Sequence, residues 1–158
     1  SGVDAVFCEQ GAGLPPRVKG LPKGRYVFSV GSAIPRKNLE VLPGVLRELA
    51  ARVPDVWLVR AGAPMSETLA SECRAALRGG MVIDRGSVTD AELCALYQNA
   101  GALFVPSTFE GWGLPVAEAL AAGCPVVCSN VSSLPEAGAD AALMAAPAHS
   151  MAAAGVAG

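Results

Sequence analysis

With 158 residues, 52% apolar and 16% charged, the chain is long enough for one domain with a substantial core and too apolar to be disordered over most of its length. Twelve basic and fourteen acidic residues are mixed along it for a net charge of −2, which leaves no basic face for nucleic acid. No apolar run approaches the roughly 20 residues that span a bilayer, and Ser1-Gly2-Val3-Asp4 lacks the charged lead and apolar block of a secretory signal, so the expected location is cytoplasmic.

Residues 1–24 are rich in proline and glycine, show no clear period and read as a lead-in or linker. Short apolar runs follow at Tyr26–Val30, Val56–Val59, Met81–Ile83, Ala102–Val105, Pro125–Cys128 and Ala142–Met144. They are continuous rather than alternating, as in parallel strands buried on both faces. Between them lie helical spacings. Leu39, Leu42, Leu46 and Leu49 recur at three and four, with Asn38 as the expected N-cap and Pro43 acceptable only within the first turn. Leu69, Cys73 and Leu77 form a second stripe closed by Gly79-Gly80. Thr89-Asp90-Ala91-Glu92 is a capping box opening a third helix over Leu93, Leu96, Tyr97 and Ala100. A fourth helix starts near Leu114, with Pro115 in its first turn.

This alternation predicts right-handed βαβ units in a Rossmann-like, doubly wound, mostly parallel six-stranded sheet with helices on both faces. Residues 148–158 follow the last run without a full helix. They are expected to be a disordered or truncated tail, and the chain reads as a fragment or isolated domain. Five cysteines (Cys8, Cys73, Cys94, Cys124, Cys128) fall at irregular spacings without the paired Cys-x-x-Cys units of a zinc site. The expectation is reduced, mostly buried thiols in a cytosolic protein.

Two segments carry chemistry. After the first strand run, Gly31 permits a bend, and Arg36 and Lys37 stand just before a helix start, where the dipole and free N–H groups favour an anion. Solvated loop charges are the other reading of that pair. The segment is neither a P-loop nor Gly-x-Gly-x-x-Gly. Glu110 and Glu118 stand eight positions apart and bracket Gly111-Trp112-Gly113-Leu114-Pro115 between an apolar strand and a helix. Glycines let backbone N–H groups approach a ligand closely. Two carboxylates across such a turn suit a polyol, at the crevice where open α/β sheets bind ligands. Trp112 is read as packing, with stacking on a sugar left open. His149, the single histidine, stands near the end and is given no catalytic role.

Glu110-Gly-Trp-Gly-Leu-Pro-x-x-Glu118 resembles the Glu-x7-Glu motif of the group 1 (family 4) retaining glycosyltransferases, which have a two-Rossmann GT-B architecture. Phe28-Ser-Val-Gly31 with Pro35-Arg-Lys-Asn38 is similar to that family's nucleotide-diphosphate loop. Gly86-Ser-Val-Thr89-Asp-Ala-Glu-Leu93 resembles its Gly-x-Val-x-Asp-x-x-Leu segment, and Pro125-Val-Val-Cys-Ser-Asn130 with Leu134-Pro-Glu136 the strand and turn after the motif helix. The likeness runs in order over roughly residues 24–147.

The resemblance implies a donor-binding domain at 25–147, with the amino-terminal acceptor domain absent from this chain. By similarity Glu118 would accept hydrogen bonds from the ribose, and Glu110 would lie against the donor sugar near its anomeric carbon, as the catalytic residue. Lys37 would neutralise the diphosphate, helped by the N–H groups of Gly111, Trp112, Gly113 and Leu114, and Val88 would lie near the base. Many members carry an arginine where Ser32 stands, which leaves one diphosphate contact open to replacement by Arg36. No cofactor and no metal are expected, since the nucleotide-sugar (GDP-mannose or a UDP-sugar) is a substrate and no Asp-x-Asp pair occurs. The implied partners are that donor and an acceptor saccharide, with peripheral membrane association for the full-length protein only. The isolated fragment is expected to be inactive. The alternative reading is a non-catalytic Rossmann-like module for nucleotides or phospho-ligands.

Overall fold

A computed structural model describes residues 18–107, 114–129 and 142–145. From residue 18 the chain leads into β1 (Tyr26–Gly31), whose aromatic and β-branched residues suit a pleated surface buried on both sides. The order continues with α1 (Leu42–Ala50), β2 (Trp57–Gly62), α2 (Glu67–Ala76), β3 (Val82–Asp84), α3 (Asp90–Asn99), β4 (Ala102–Val105), α4 (Leu114–Ala121), β5 (Val126–Ser129) and β6 (Ala142–Ala145). These strands form one six-stranded sheet in the order β3-β2-β1-β4-β5-β6, and every pairing is parallel. The chain winds from β1 outward to β3, then returns to β4 and winds the other way. This reversal creates a switch point between β1 and β4.

Successive residues along each strand serve opposite faces. Tyr26, Phe28, Val59, Leu103, Val105 and Val126 join one core with Leu96 and Tyr97 of α3 and Val116 and Ala119 of α4. Val27, Leu58, Phe104 and Val127 join the other with Leu42, Leu46 and Leu49 of α1 and Cys73 of α2. A period of two in the strands thus meets a helix layer on each side. Tyr26 fixes one layer to the sheet by donating its hydroxyl to the Leu96 carbonyl at 2.6 Å. Phe28 and Tyr97 meet edge to face with ring centres 5.3 Å apart.

Several local expectations change. Asn38 is not the N-cap of α1, a position held by Val41. Asn38 lies in the left-handed region (φ 55, ψ 38) between short 3-10 turns at Pro35–Lys37 and Leu39–Val41, without a side-chain cap bond. Pro43 sits in the first turn of α1, where its missing N–H costs nothing, and this sets the helix start at Leu42 rather than at Leu39. Ser66 caps α2 through a bond from the Leu69 N–H. That helix ends at Ala76, leaving Leu77 extended yet buried. Thr89 caps α3 as expected, its hydroxyl accepting from the Glu92 N–H at 3.1 Å, while the Glu92 carboxylate accepts a hydrogen bond from the Thr89 hydroxyl.

Cys73, Cys124 and Cys128 are buried thiols outside any disulfide, and burial pushes them up to about 11, 12 and 11. Cys94 is disulfide-bonded instead, which corrects the expectation of a reduced thiol there. Among the described residues no helix is long and apolar enough to cross a membrane. Residues 1–17, 108–113, 130–141 and 146–158 lie outside the described residues, and with them most of the expected lead-in at 1–24 and the whole expected tail at 148–158.

Candidate functional site

The switch point is where the two chemistry-bearing segments meet. On the β1 side, Gly31 turns the chain at φ 108, and the 3-10 turn at Pro35–Lys37 closes with Lys37 N–H on the Ile34 carbonyl at 2.9 Å. On the β4 side, Pro106 and the buried Ser107 leave the strand, and α4 begins at Leu114 with Pro115 next. A crevice between these limbs is lined by Ser29, Ser32 and Lys37 on one wall and by Val105, Ser107 and Pro115 on the other. The sheet order therefore brings the predicted Lys37 to the foot of the predicted motif helix. Arg36 is exposed on the same turn, and both cations already interact with other groups of the chain.

Glu110, Gly111, Trp112 and Gly113 lie outside the described residues. Leu114 is half-buried at the start of α4, among the first four residues of a helix, whose N–H groups have no partner within the helix. Glu118 stands one turn further on, half-buried, and its Oε1 accepts the Tyr97 hydroxyl at 3.2 Å. Burial holds the Glu118 carboxyl above its ordinary value and nearby Asp90 adds to that, while the Tyr97 bond pulls the other way. Burial, reinforced by Glu118, pushes the Tyr97 phenol up strongly, so it stays a neutral donor. Val88 is half-buried against the same core as Tyr97 and Val116, which puts the loop before α3 on the Glu118 side of the sheet.

Residues 16–156 match the family model described as glycosyl transferases group 1. The chain belongs to the group 1 glycosyl transferases. It is 37% identical over 126 residues to the O-antigen chain mannosyltransferase B of Escherichia coli, covering 77% of this chain and 33% of that protein. To the MMP alpha-(1->4)-mannosyltransferase of Mycolicibacterium hassiacum it is 31% identical over 120 residues, covering 75% and 29%. The chain thus spans about a third of the length of these relatives. Its fold is similar to the C-terminal domain of the group 1 family protein LpcC from Francisella tularensis, with a TM-score of 0.75 at 19% identity, covering 98% of this chain and 84% of that one. It is also similar to a sucrose-phosphate synthase from Thermosynechococcus elongatus, with a TM-score of 0.70 at 23% identity, covering 98% and 40%.

In this group 1 domain, sequence reasoning passed over two buried residues, Tyr97 and Arg60. Tyr97 reads as one more member of an apolar helical stripe, although a tyrosine in such a stripe needs a partner for its hydroxyl. Arg60 reads as the end of an apolar strand run, yet it is 1% exposed. A cation inside a buried parallel strand was the available signal, because charged residues are almost never fully buried without partners. Among the described residues no group of three or more His, Cys, Asp or Glu side chains is placed to hold a metal ion.

Proposed function

We propose that this chain is the donor-binding half of a retaining glycosyltransferase, which moves a sugar from a nucleoside-diphosphate donor to an acceptor glycan or lipid-linked saccharide in the cytoplasm. The donor-binding unit is residues 25–147. The observation that carries the reading is the meeting of Lys37 with the foot of the motif helix across the switch-point crevice. Lys37 neutralises the diphosphate, Arg36 adds charge from the same turn, and the N–H groups of 111–114 complete an anion site at a helix start. Glu118 accepts from the ribose hydroxyls, and Glu110 holds the donor sugar beside its anomeric carbon. Val88 borders the base.

Transfer breaks the bond between sugar and diphosphate, so negative charge grows on the departing phosphate. Fixed cations and N–H groups aimed there stabilise that charge more than they stabilise the intact donor. Mannose is the favoured sugar, because several relatives bear mannosyltransferase names, and GDP-mannose is the first donor to try beside UDP-sugars. The acceptor comes from a second domain across the cleft, so the isolated chain holds donor without turning it over.

Calorimetric titration of the chain with GDP-mannose and UDP-glucose to millimolar concentration tests this. One of them should bind, and Glu118→Ala should weaken it by about tenfold, the scale of losing hydrogen bonds to a charged group. Absence of binding by both, or unaltered affinity in Glu118→Ala, contradicts the assignment.

A further inference from the structure

Arg60 of β2 is a buried cation whose hydrogen bonds all end on neutral oxygens. Nη1 donates to Ser29 Oγ at 2.6 Å, and Nη2 donates to the Gly31 and Ala63 carbonyls, each at 2.8 Å. Nε is buried without a partner. Burial pulls the Arg60 guanidinium below its ordinary value; Asp84, in register with it on the neighbouring strand, works the other way, but its Oδ1 accepts from the Gly86 N–H. A buried ion satisfied only by neutral partners is costly, and well-packed apolar residues often serve stability equally well or better. Stability alone therefore gives a weak reason for an arginine here.

Its two contacts on β1 give a stronger one. Ser29 lines the switch-point crevice together with Ser32 and Lys37. Since Ser29 Oγ accepts from Arg60, its own proton is left to be donated elsewhere, and the cation behind it strengthens that donor. Gly31 opens the loop that carries Lys37. Its carbonyl also accepts the Ala63 N–H at 3.2 Å, and a Cβ on Gly62 would lie 2.6 Å from it. The ends of β1 and β2 are thereby pinned to each other directly behind the crevice wall.

We propose that Arg60 is a positioning residue for the diphosphate of the donor: it fixes the Ser29 hydroxyl and the start of the Lys37 loop, and sets a positive charge one hydrogen bond behind the crevice wall. This rests on the donor-binding reading and adds a preference for diphosphate over monophosphate that originates below the surface. Charge held in such a low-dielectric position acts on a nearby anion with little screening.

The test is calorimetry of the chain with GDP, GMP, UDP and UMP, using wild type, Arg60→Met, Arg60→Lys and Ser29→Ala, with thermal melts to establish folding. Arg60→Met should lower affinity for the bound diphosphate by about tenfold and for its monophosphate by less than about twofold, on the scale of a charge-assisted contact. Arg60→Lys should restore part of the difference, and Ser29→Ala should reduce the diphosphate preference by about threefold. If Arg60→Met does not fold, the last two variants decide. A diphosphate-to-monophosphate ratio unchanged in every folded variant overturns this inference alone and leaves Arg60 a structural tie. Wild-type protein that binds none of the four nucleotides overturns the donor-binding reading and this inference with it.

Discussion

Glu118 is held by a phenol, the Tyr97 hydroxyl, rather than by a cation. The Tyr97 hydroxyl orients the carboxylate, while burial keeps its proton affinity above the ordinary value of 4.5. The folded chain therefore binds this proton more tightly than the unfolded chain does. The stability linked to the protonated form is fully present below pH 4.5 and is lost as pH rises through the raised folded value. Glu118→Gln keeps an oxygen for the Tyr97 hydroxyl and cannot ionise. Relative to wild type it should gain stability between acid and neutral pH, measured as the melting-temperature difference at each pH, while losing donor affinity. A wild-type advantage that grows with pH would sink this account. The sequence put Glu118 and Lys37 forward because a spaced pair of acids and a pair of cations each stand at a strand-to-helix turn, and the fold places Lys37 at the foot of the helix that carries Glu118. The sequence hid Arg60 and Tyr97, whose meaning depends on partners 31 and 21 positions away.

At the scale of elements, legibility followed how local the determinants were. The run Ala102–Val105 is β4 residue for residue, because nothing polar interrupts it. The run at Val56–Val59 extends as β2 to Gly62. Arg60 and Gly62 look like strand breakers until parallel pairing sets them beside Ser29 and Gly31. The Thr89 cap depends on residues three apart and could be read directly, whereas the start of α1 was decided by Pro43. Two glycines test the packing between elements in opposite directions. A Cβ on Gly80 would lie 1.8 Å from the Val56 carbonyl oxygen, whereas one on Gly44, within α1, meets nothing within 4 Å. Gly80→Ala should destabilise the chain by about 1–3 kcal/mol, and Gly44→Ala should stabilise it by about 0.5–1 kcal/mol. Urea denaturation measures both, and equal effects from the two would contradict this packing.

The whole molecule is a group 1 glycosyl transferase domain that spans about a third of its relatives' length. Its doubly wound order, β3-β2-β1-β4-β5-β6, brings segments more than 70 residues apart to one crevice (Lys37 and Pro115, for example). Composition and periodicity made that order legible as a class of fold, but the crevice itself exists only once β1 and β4 are neighbours. On the proposed division of labour, this half holds the donor and the other half presents the acceptor. The central claim is that the donor lies across this switch point. Its most direct test is an NMR titration of the isotopically labelled chain with GDP-mannose and, separately, UDP-glucose, following every backbone amide. One donor should shift amides concentrated in residues 31–38 and 114–118. Shifts concentrated on α2 and the β3 edge, or no shifts with either donor at millimolar concentration, would contradict the account.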